Sequence, residues 1–417
     1  MSCRKDEPLS AFNTLIGKQW IVRDPAILQL VLKQFRNEND GIFCVPENER
    51  LFIDLILRDL YPNEVANISD REKELINAVI FTAEATHVPH LRNRIMGFLK
   101  QQRVQEYRGL LDSIANSILD QLTHEEKQQC DSGQLAFEFA LTVICQIFTG
   151  YQSTREGYQK IVSALITISK RIGDEIVKKP QKEQDVIQYQ NALQTIRELI
   201  QENLNSNSFL VRELKENGLS SFSIRIYLYF FYLAATETTS SAIHYLILQL
   251  GKNQHLQSLL REELPDLNLL KKCIIEALRL NPPAYIVGRG LKRDTVIELR
   301  NPENAVVYSK HLRKGQYLIN WIGGVAKDSR LYSNPEQFNP FRFDTIPSQL
   351  PWLPFTTGAH TCPGQFLARA EMESFITAIV KRFDIKTFPS DVPIESKGIF
   401  SLHPDPQAKL KVLFKVR

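Results

Sequence analysis

The chain has 417 residues, of which 43% are hydrophobic and 24% charged, and 51 Lys+Arg against 47 Asp+Glu give a net charge of +4. This composition is typical of a globular protein and excludes a disordered, collagenous or coiled-coil chain. A charge of +4 over this length is too weak to favour nucleic acid as the main partner.

Two features of the sequence bear on its compartment. The six cysteines form no close pair, which excludes a zinc ribbon or a dense disulfide framework and is typical of a reducing cytoplasm. The first ten residues are rich in charge and no apolar stretch follows them, so the sequence indicates neither a signal peptide nor a membrane anchor. We therefore expect a soluble cytoplasmic protein.

Apolar residues recur at helical spacing through the first two thirds of the chain. The predicted helices are 26–32, 50–60, 92–99, 107–122, 135–148, 158–176 and 186–204. A long apolar helix follows over 223–250, and the polar residues 236–241 at its middle favour a buried core helix over a membrane span.

Strand signals are few. The predicted strands are 20–22, 295–299, 305–308, 317–320 and 410–416. No flexible linker divides the chain, so we expect one mainly α-helical domain over residues 1–417. This domain would have a small β-rich portion and a short N-terminal segment, 1–19.

A glycine-flanked cysteine precedes the last predicted helix, 365–382, which we expect to be amphipathic. Cys362 lies in the segment Pro-Phe-Thr-Thr-Gly-Ala-His-Thr-Cys-Pro-Gly-Gln-Phe-Leu-Ala, residues 354–368. The start of a helix offers a positive dipole end and unpaired N–H groups, and both stabilise a thiolate. Glycines at 358 and 364 let the backbone approach a flat ligand closely. On position alone, a small buried hydrophobe is the commoner role for a lone cysteine.

This segment resembles the haem-binding loop of the cytochrome P450 family, F-x-x-G-x-(R/H)-x-C-x-G-x-x-x-A, and every fixed position is present. By this resemblance Cys362 is the thiolate ligand of the haem iron. Phe355, Gly358 and Gly364 belong to the cofactor-binding loop, and His360 meets a haem propionate. The histidine is similar to that of many soluble bacterial members.

A second motif is Glu276-Ala277-Leu278-Arg279, which Pro282 follows shortly after. Glu276 and Arg279 lie on one helix face and can pair, while Pro282 ends the helix near residue 281. An exposed pair of this kind would contribute little. With Arg342 in the later segment Phe-Asn-Pro-Phe-Arg-Phe, the pair resembles the family's buried structural triad. By resemblance, this triad supports the cysteine loop and takes no part in the chemistry.

The long apolar helix contains a third motif, Ala-Ala-Thr-Glu-Thr-Thr, at 234–239. An acid inside an apolar helix is costly unless it is hydrogen-bonded or used, and hydroxyls there commonly bond back to the preceding carbonyls. The segment resembles the family's oxygen-activation motif, in which Glu237 and Thr238 relay protons to dioxygen. Ala235 replaces the usual glycine, which points to a narrower local opening of the helix.

Three further basic residues fit haem-propionate binding by resemblance. His90 and Arg94 lie in a segment similar to the family's HxRxR helix start, and Arg289 follows the proline pair at the family's spacing. Lone basic residues are usually solvated, so the assignment depends on the resemblance. The resemblance begins at about Trp20. Because soluble members usually carry an additional helix and strand before this point, we expect a small sheet short of one strand or a more open access side.

The resemblance implies a haem-thiolate monooxygenase that binds haem b (iron protoporphyrin IX). Such an enzyme hydroxylates, epoxidises or couples a largely apolar organic substrate, free or carrier-bound, with electrons from an external ferredoxin- or flavodoxin-type donor. A basic docking face for that donor is expected at Arg92, Lys100, Arg103 and Arg369. Two alternatives stay open: a peroxide-driven haem oxygenase, and a non-catalytic haem-binding sensor or carrier-recognition protein. The predicted substrate pocket draws on 61–88, 149–179, Ala234, 286–287 and 399–400.

Overall fold

The computed structural model describes residues 8–14, 17–33, 43–44, 59–65, 97–176, 179–206, 208–345, 354–357, 361–398, 402–405 and 410–417. The helices in these ranges are α1 (Pro25–Lys33), α2 (Pro62–Val65), α3 (Gln101–Asp120), α4 (His124–Gln128), α5 (Ser132–Ile144), α6 (Arg155–Ile176), α7 (Glu183–Asn205), α8 (Phe209–Glu216), α9 (Ser221–Lys252), α10 (Gln254–Glu263), α11 (Asn268–Leu280), α12 (Ile322–Val325) and α13 (Gln365–Arg382). The strands are β1 (Leu9–Thr14), β2 (Gly17–Val22), β3 (Phe43–Cys44), β4 (Val287–Leu291), β5 (Thr295–Arg300), β6 (Val306–Leu312), β7 (Tyr317–Asn320), β8 (Phe383–Phe388), β9 (Ser396–Lys397), β10 (His403–Pro404) and β11 (Lys411–Val416). The mainly α-helical class is confirmed. The predicted helix 92–99 falls mostly outside the described residues, as does 50–60.

Helix α9 is the centre of the helical core. It has 32 residues and packs against α5, α7, α11 and α13. Ser220 begins it by accepting a hydrogen bond from the backbone N–H of Ser223 at 3.1 Å, as N-cap serines do. Since its buried residues occur all around the helix, the prediction of a buried core helix is confirmed.

Helix α5 packs along α9 and ends in an unusual turn. Residues Cys145–Thr149 form a π-helical segment that stops at Gly150, whose φ of 67° is left-handed. The stretch Ser132–Thr149 is also the one helical stretch among the described residues that is long and apolar enough to cross a membrane. Its residues are 78% buried within the protein, as in a core helix.

The largest sheet has the strand order β1-β2-β7-β4-β3. Strands β2 and β7 are parallel, whereas β1 pairs with β2 as an antiparallel hairpin that aligns Leu9 with Val22 and Thr14 with Gly17. Apolar residues from this hairpin and α1 form a second, smaller core. The expectation of a missing strand before Trp20 was therefore wrong, because β1 supplies one.

Helix α13 has the predicted bounds, 365–382, but is not amphipathic. Most of its residues are buried, and they include Glu371, Glu373 and Ser374. The reason is its position, since α13 packs against α3, α9, α10 and α11. Its polar residues must therefore find their partners inside the protein.

Helix α9 and strand β8 approach each other so closely that only glycine fits at position 251. A Cβ atom at Gly251 would lie 2.8 Å from the backbone nitrogen of Thr387 and in contact with its hydroxyl. We expect Gly251→Ala to lower the free energy of unfolding by about 1–3 kcal/mol, because rigid backbone must move. Chemical denaturation of the purified protein measures this change.

Gly109 is the matched control, because it lies on the exposed side of α3 and a Cβ there meets nothing within 4 Å. We expect Gly109→Ala to raise the free energy of unfolding by about 0.4–1 kcal/mol through helix propensity and a less flexible unfolded chain. Equal effects of the two substitutions would contradict the close approach of α9 and β8.

Candidate active site

Cys362 lies in a loop that closes on itself just before α13. Its backbone N–H donates to the carbonyl of Phe355 at 2.9 Å, and its own carbonyl accepts from the N–H of Gln365 at 3.5 Å. Gly364 is the N-cap of the 18-residue helix that follows. The half-buried cysteine is therefore held at the positive end of a long helix, where a thiolate is stabilised.

A cavity of about 330 Å³ opens beside this cysteine. Cys362 lines it from the start of α13, and Thr238 lines it from the middle of α9. Most of the remaining wall is apolar and includes Leu99, Ile144, Phe148, Phe230, Phe231 and Leu278. A thiol and a hydroxyl thus share one apolar space, in which polar interactions are stronger than in water.

The cysteine side of the cavity fits a flat ligand such as haem. A Cβ atom at Gly364 would meet only the Sγ atom of Cys362, at 3.9 Å, among the described residues within 4 Å. A larger side chain there would consequently project into the cavity beside the thiol. The cavity volume lies in the range of about 300–1,000 Å³ that is usual for small-molecule sites, and a cysteine thiolate is an established haem-iron ligand. The residues present therefore fit a haem held through Cys362.

The two residues predicted to relay protons point in different directions. Thr238 lines the cavity, and its hydroxyl donates to the Ala234 carbonyl at 2.9 Å. The carboxylate of Glu237 accepts a hydrogen bond from the Ser169 hydroxyl at 3.2 Å and lies 3.5 Å from Nε2 of His403. The structure therefore places only the hydroxyl at the cavity, because consecutive residues on a helix face different sides.

The basic residues predicted at the propionates are described only in part. Arg289 is buried in β4, and its guanidinium donates to the Gly288 carbonyl at 2.7 Å. His90, Arg94, Gly358 and His360 lie outside the described residues. Their roles at the cofactor stay predictions, as does that of Arg289.

The predicted triad is present and buried. Glu276 receives hydrogen bonds from Arg279 at 2.8 and 2.9 Å and from Arg342 at 2.9 Å. Their side chains are 0%, 0% and 4% exposed. Further N–H groups of the two arginines donate to the carbonyls of Ala326 and Ser333 at 2.7 and 2.8 Å. The buried charges are thus paired and hydrogen-bonded, which offsets their desolvation.

An aromatic pair on the cavity wall was missed by the sequence analysis. The rings of Phe148 and Phe231 meet edge to face, with centroids 4.6 Å apart and planes at 61°. Phe148 belongs to the π-helical turn, which inserts one residue into the helical repeat and changes where the later side chains point. The available signal was Gly150 at the end of this turn, but glycine alone does not distinguish a π-turn from an ordinary helix end.

Glu371 is a second residue that the sequence analysis did not select. Its side chain lines the cavity from α13, the residue is 1% exposed, and Oε2 has no hydrogen-bond partner among the described residues. Burial raises the pKa of this carboxyl well above its ordinary value. Burial therefore favours the neutral carboxylic acid form of Glu371 over the carboxylate.

A family model for Cytochrome P450 matches residues 61–412. "Cytochrome P450 4F6" of Rattus norvegicus is 29% identical over 195 residues, which cover 42% of this chain and 35% of the relative. "Cytochrome P450 monooxygenase orf5" of Eupenicillium brefeldianum is 30% identical over 177 residues, 39% of this chain and 34% of the relative. "Taurochenodeoxycholic 6 alpha-hydroxylase" of Sus scrofa is 28% identical over 200 residues, 44% and 38% of the two chains.

The chain thus aligns with little more than a third of the length of these curated relatives. Its fold matches the structure titled "Crystal structure of cytochrome P450DA heme domain" with a TM-score of 0.74, at 16% identity, over 98% of this chain and 90% of the other. The match to this structure confirms the predicted fold. The relatives named here come from animals and a fungus, so the soluble bacterial type stays a prediction.

The neutral acid at Glu371 has a consequence for stability. The folded protein keeps a proton that the unfolded chain releases above pH 4.5, so stability falls as pH rises towards the raised pKa. Glu371→Gln removes this loss because the amide is neutral at every pH. We expect the variant to melt at least about 1 °C higher than the wild type at pH 8, roughly 1 kcal/mol, and at an almost equal temperature at pH 5.

Glu373 provides the control, because it is a buried carboxylate on the same helix that pairs with Arg108. Glu373→Gln breaks that pair and is expected to lower the melting temperature at pH 8. A Glu371→Gln variant that gains no stability between pH 5 and pH 8 relative to the wild type would show that Glu371 is charged. Scanning calorimetry at the two pH values makes both measurements.

Proposed function

Because the chain belongs to the cytochrome P450 family, we propose that it is a haem-thiolate monooxygenase that uses dioxygen to oxidise a largely apolar organic substrate. One observation carries this proposal: Cys362 and Thr238 line the same apolar cavity from two different helices. The named relatives align over little more than a third of their length, so this site supports the function more directly than their names do.

The cofactor of this family is haem b, iron protoporphyrin IX. When bound through a thiolate, it supplies an electron-rich iron that favours cleavage of the O–O bond. Cys362 would be the ligand, with Phe355 and Gly364 beside it. His360, His90, Arg94 and Arg289 would hold the propionates. The start of α13 would stabilise the negative charge on Cys362 in the resting protein.

The wall of the cavity selects the substrate and excludes water. Leu99, Ile144 and the aromatic pair Phe148 and Phe231 present apolar surface, which favours an uncharged apolar molecule. Two relatives carry the names "Taurochenodeoxycholic 6 alpha-hydroxylase" and "Cholesterol side-chain cleavage enzyme, mitochondrial". These names support a bulky hydrocarbon skeleton as the substrate class. The reaction would be a hydroxylation, an epoxidation or a coupling.

Protons would reach the cavity through Thr238. Its hydroxyl donates to the Ala234 carbonyl and still has lone pairs with which to accept a proton or a hydrogen bond. Glu237, the next residue, would supply the proton after its side chain turns inward from Ser169 and His403. General acid catalysis of this kind contributes about 10²–10⁴-fold to a rate.

Electrons would come from a donor of the ferredoxin or flavodoxin type, in the cytoplasm. Exposed Lys100 and Arg103 would contribute to the basic docking face. Arg369 is a poor candidate for that face, since it is half-buried and stacks over the Phe355 ring at 5.0 Å. Arg92, which is also predicted for this face, lies outside the described residues.

The proposed activity is tested first with the haem-loaded wild-type protein. Naphthalene, laurate and progesterone are titrated while the haem absorbance is followed, and compounds that shift it are incubated with reductant and ¹⁸O₂. We expect a product with one ¹⁸O atom. Product that forms from hydrogen peroxide without reductant, but not from dioxygen with reductant, would favour the peroxide-driven oxygenase instead.

The role of Thr238 is tested by Thr238→Ala. We expect the fraction of electrons released as hydrogen peroxide to rise about fivefold, because a hydrogen bond worth about 1 kcal/mol is lost from productive proton delivery. The measurement compares peroxide and product per reductant consumed.

Thr236→Ala is a matched control. The hydroxyl of Thr236 also bonds back along α9, to the Tyr232 carbonyl, but this residue does not line the cavity. We expect its peroxide yield to equal that of the wild type. An unchanged yield in Thr238→Ala would rule out the proposed role of this hydroxyl.

A further inference from the structure

Helix α9 carries a cluster of polar side chains on a face that neighbours its cavity face. Ala234 and Thr238 line the cavity, whereas Glu237, Ser241 and His244 follow one another at spacings of four and three residues. This spacing places the three polar residues on one face of the helix. Since successive residues point about 100° apart, the Glu237 side chain lies beside the cavity face of α9 and not on it.

Among the described residues, Ser169 and His403 from other elements contact the Glu237 carboxylate. Ser169 of α6 donates to Oε2 at 3.2 Å, and Nε2 of His403 in β10 lies 3.5 Å from Oε1. The Glu237 side chain is 12% exposed and that of His403 is 32% exposed. The imidazole of His403 therefore contacts both solvent and the Glu237 carboxylate. The carboxylate itself has little exposure to solvent.

The position of His403 is fixed relative to α9 itself. The hydroxyl of Ser241 donates to the carbonyl of Leu402, the residue before His403. The Leu402 N–H donates to the Pro283 carbonyl at 2.9 Å, and His403 pairs with Lys397 across the β9–β10 ladder. The backbone that carries the imidazole is thus tied to the helix that carries Glu237.

We propose that His403 is the solvent-side proton donor of this protein and the residue that positions Glu237. The route runs from solvent to His403, then to Glu237, and then to Thr238 at the cavity. This inference rests on the proposed function, because the protons are consumed when dioxygen is reduced.

Each step transfers one proton and no electrons, so it needs no oxidant or reductant. The protonated imidazole gives its Nε2 proton to the Glu237 carboxylate, and the neutral ring takes a proton from bulk water. The resulting neutral carboxylic acid has a smaller desolvation cost than the carboxylate. It can therefore leave Ser169 and His403 and turn towards Thr238. Histidine suits the first step because its charge changes between pH 5 and 8.

The other ionisable groups around Glu237 and His403 are neutral, paired or used as a helix cap. Burial lowers the pKa of His244 to about 4, so that ring is neutral. Asp131, which interacts with His244, is the N-cap of α5 and accepts from the Gln134 N–H at 2.9 Å. Lys397 and Asp405 neutralise each other at 2.5 Å. Tyr229, whose pKa is raised well above its ordinary value mainly by burial and slightly by Glu237, stays protonated.

The decisive experiment is the pH dependence of coupling in the haem-loaded protein. Coupling is the ratio of product to reductant consumed, with a substrate taken from the absorbance titration. We expect wild-type coupling to be several-fold higher at pH 6 than at pH 8, because a proton route that begins at an imidazole draws its protons from solvent. His403→Gln keeps an N–H donor but cannot titrate, so its coupling should be low and independent of pH.

His255 is the matched control, because it is exposed on α10 outside the contacts described for Glu237. His255→Gln should retain the wild-type pH profile. A His403→Gln variant with the wild-type profile overturns the inference and leaves the proposed function standing. A wild-type protein that consumes reductant and dioxygen without oxidising any compound overturns the proposed function first.

A measurement without turnover tests the contact itself. In protein labelled with ¹⁵N-histidine and held in the reduced, diamagnetic carbon monoxide form, we expect a slowly exchanging Nε2–H resonance from His403. This resonance should disappear in His403→Gln and become fast-exchanging in Glu237→Ala. A resonance that Glu237→Ala leaves unchanged would show that the carboxylate is not its partner and would overturn the inference.

Discussion

The site depends on one buried ionic interaction, between Glu276, Arg279 and Arg342. Three fully or almost fully buried charges are unfavourable unless each is paired and hydrogen-bonded, and here both oxygens of the carboxylate accept from guanidinium groups. The remaining N–H groups reach backbone carbonyls of Ala326 and Ser333. The interaction therefore fixes the segment between β7 and the cysteine loop to α11.

Helix α9 places a hydroxyl and a carboxylate within an otherwise apolar core. Its cavity side carries Ala234 and the Thr238 hydroxyl among apolar residues, and a neighbouring face carries an acid that contacts groups from α6 and β10. One helix can serve both purposes because successive residues point about 100° apart. The Glu237 carboxylate lies outside the apolar cavity, because a carboxylate inside that cavity would be costly. It is nevertheless adjacent in sequence to Thr238, the hydroxyl that needs its proton.

The sequence predicted those parts of the fold and the site that depend on local contacts or on a motif known from the family. The bounds of α13, the end of α11 before Pro282 and the pairing of Glu276 with both arginines all followed from the sequence. The hairpin strand β1 did not, because the segment Leu9–Thr14 mixes apolar and polar residues without strict alternation and becomes a strand only by pairing with β2. The direction of Glu237 depends on His403, far along the chain, and the neutral state of Glu371 depends on burial. Local sequence patterns do not predict such tertiary effects.

The central claim is that Cys362 is the thiolate ligand of a haem, and the absorbance spectrum of the reduced protein with carbon monoxide tests it most directly. A thiolate ligand gives a strongly red-shifted Soret band. We expect this band in the wild type and in Cys130→Ala, since Cys130 is buried and does not line the cavity, and we expect it to be lost in Cys362→Ala. Its absence from the haem-loaded wild type, or its persistence in Cys362→Ala, would contradict the assignment.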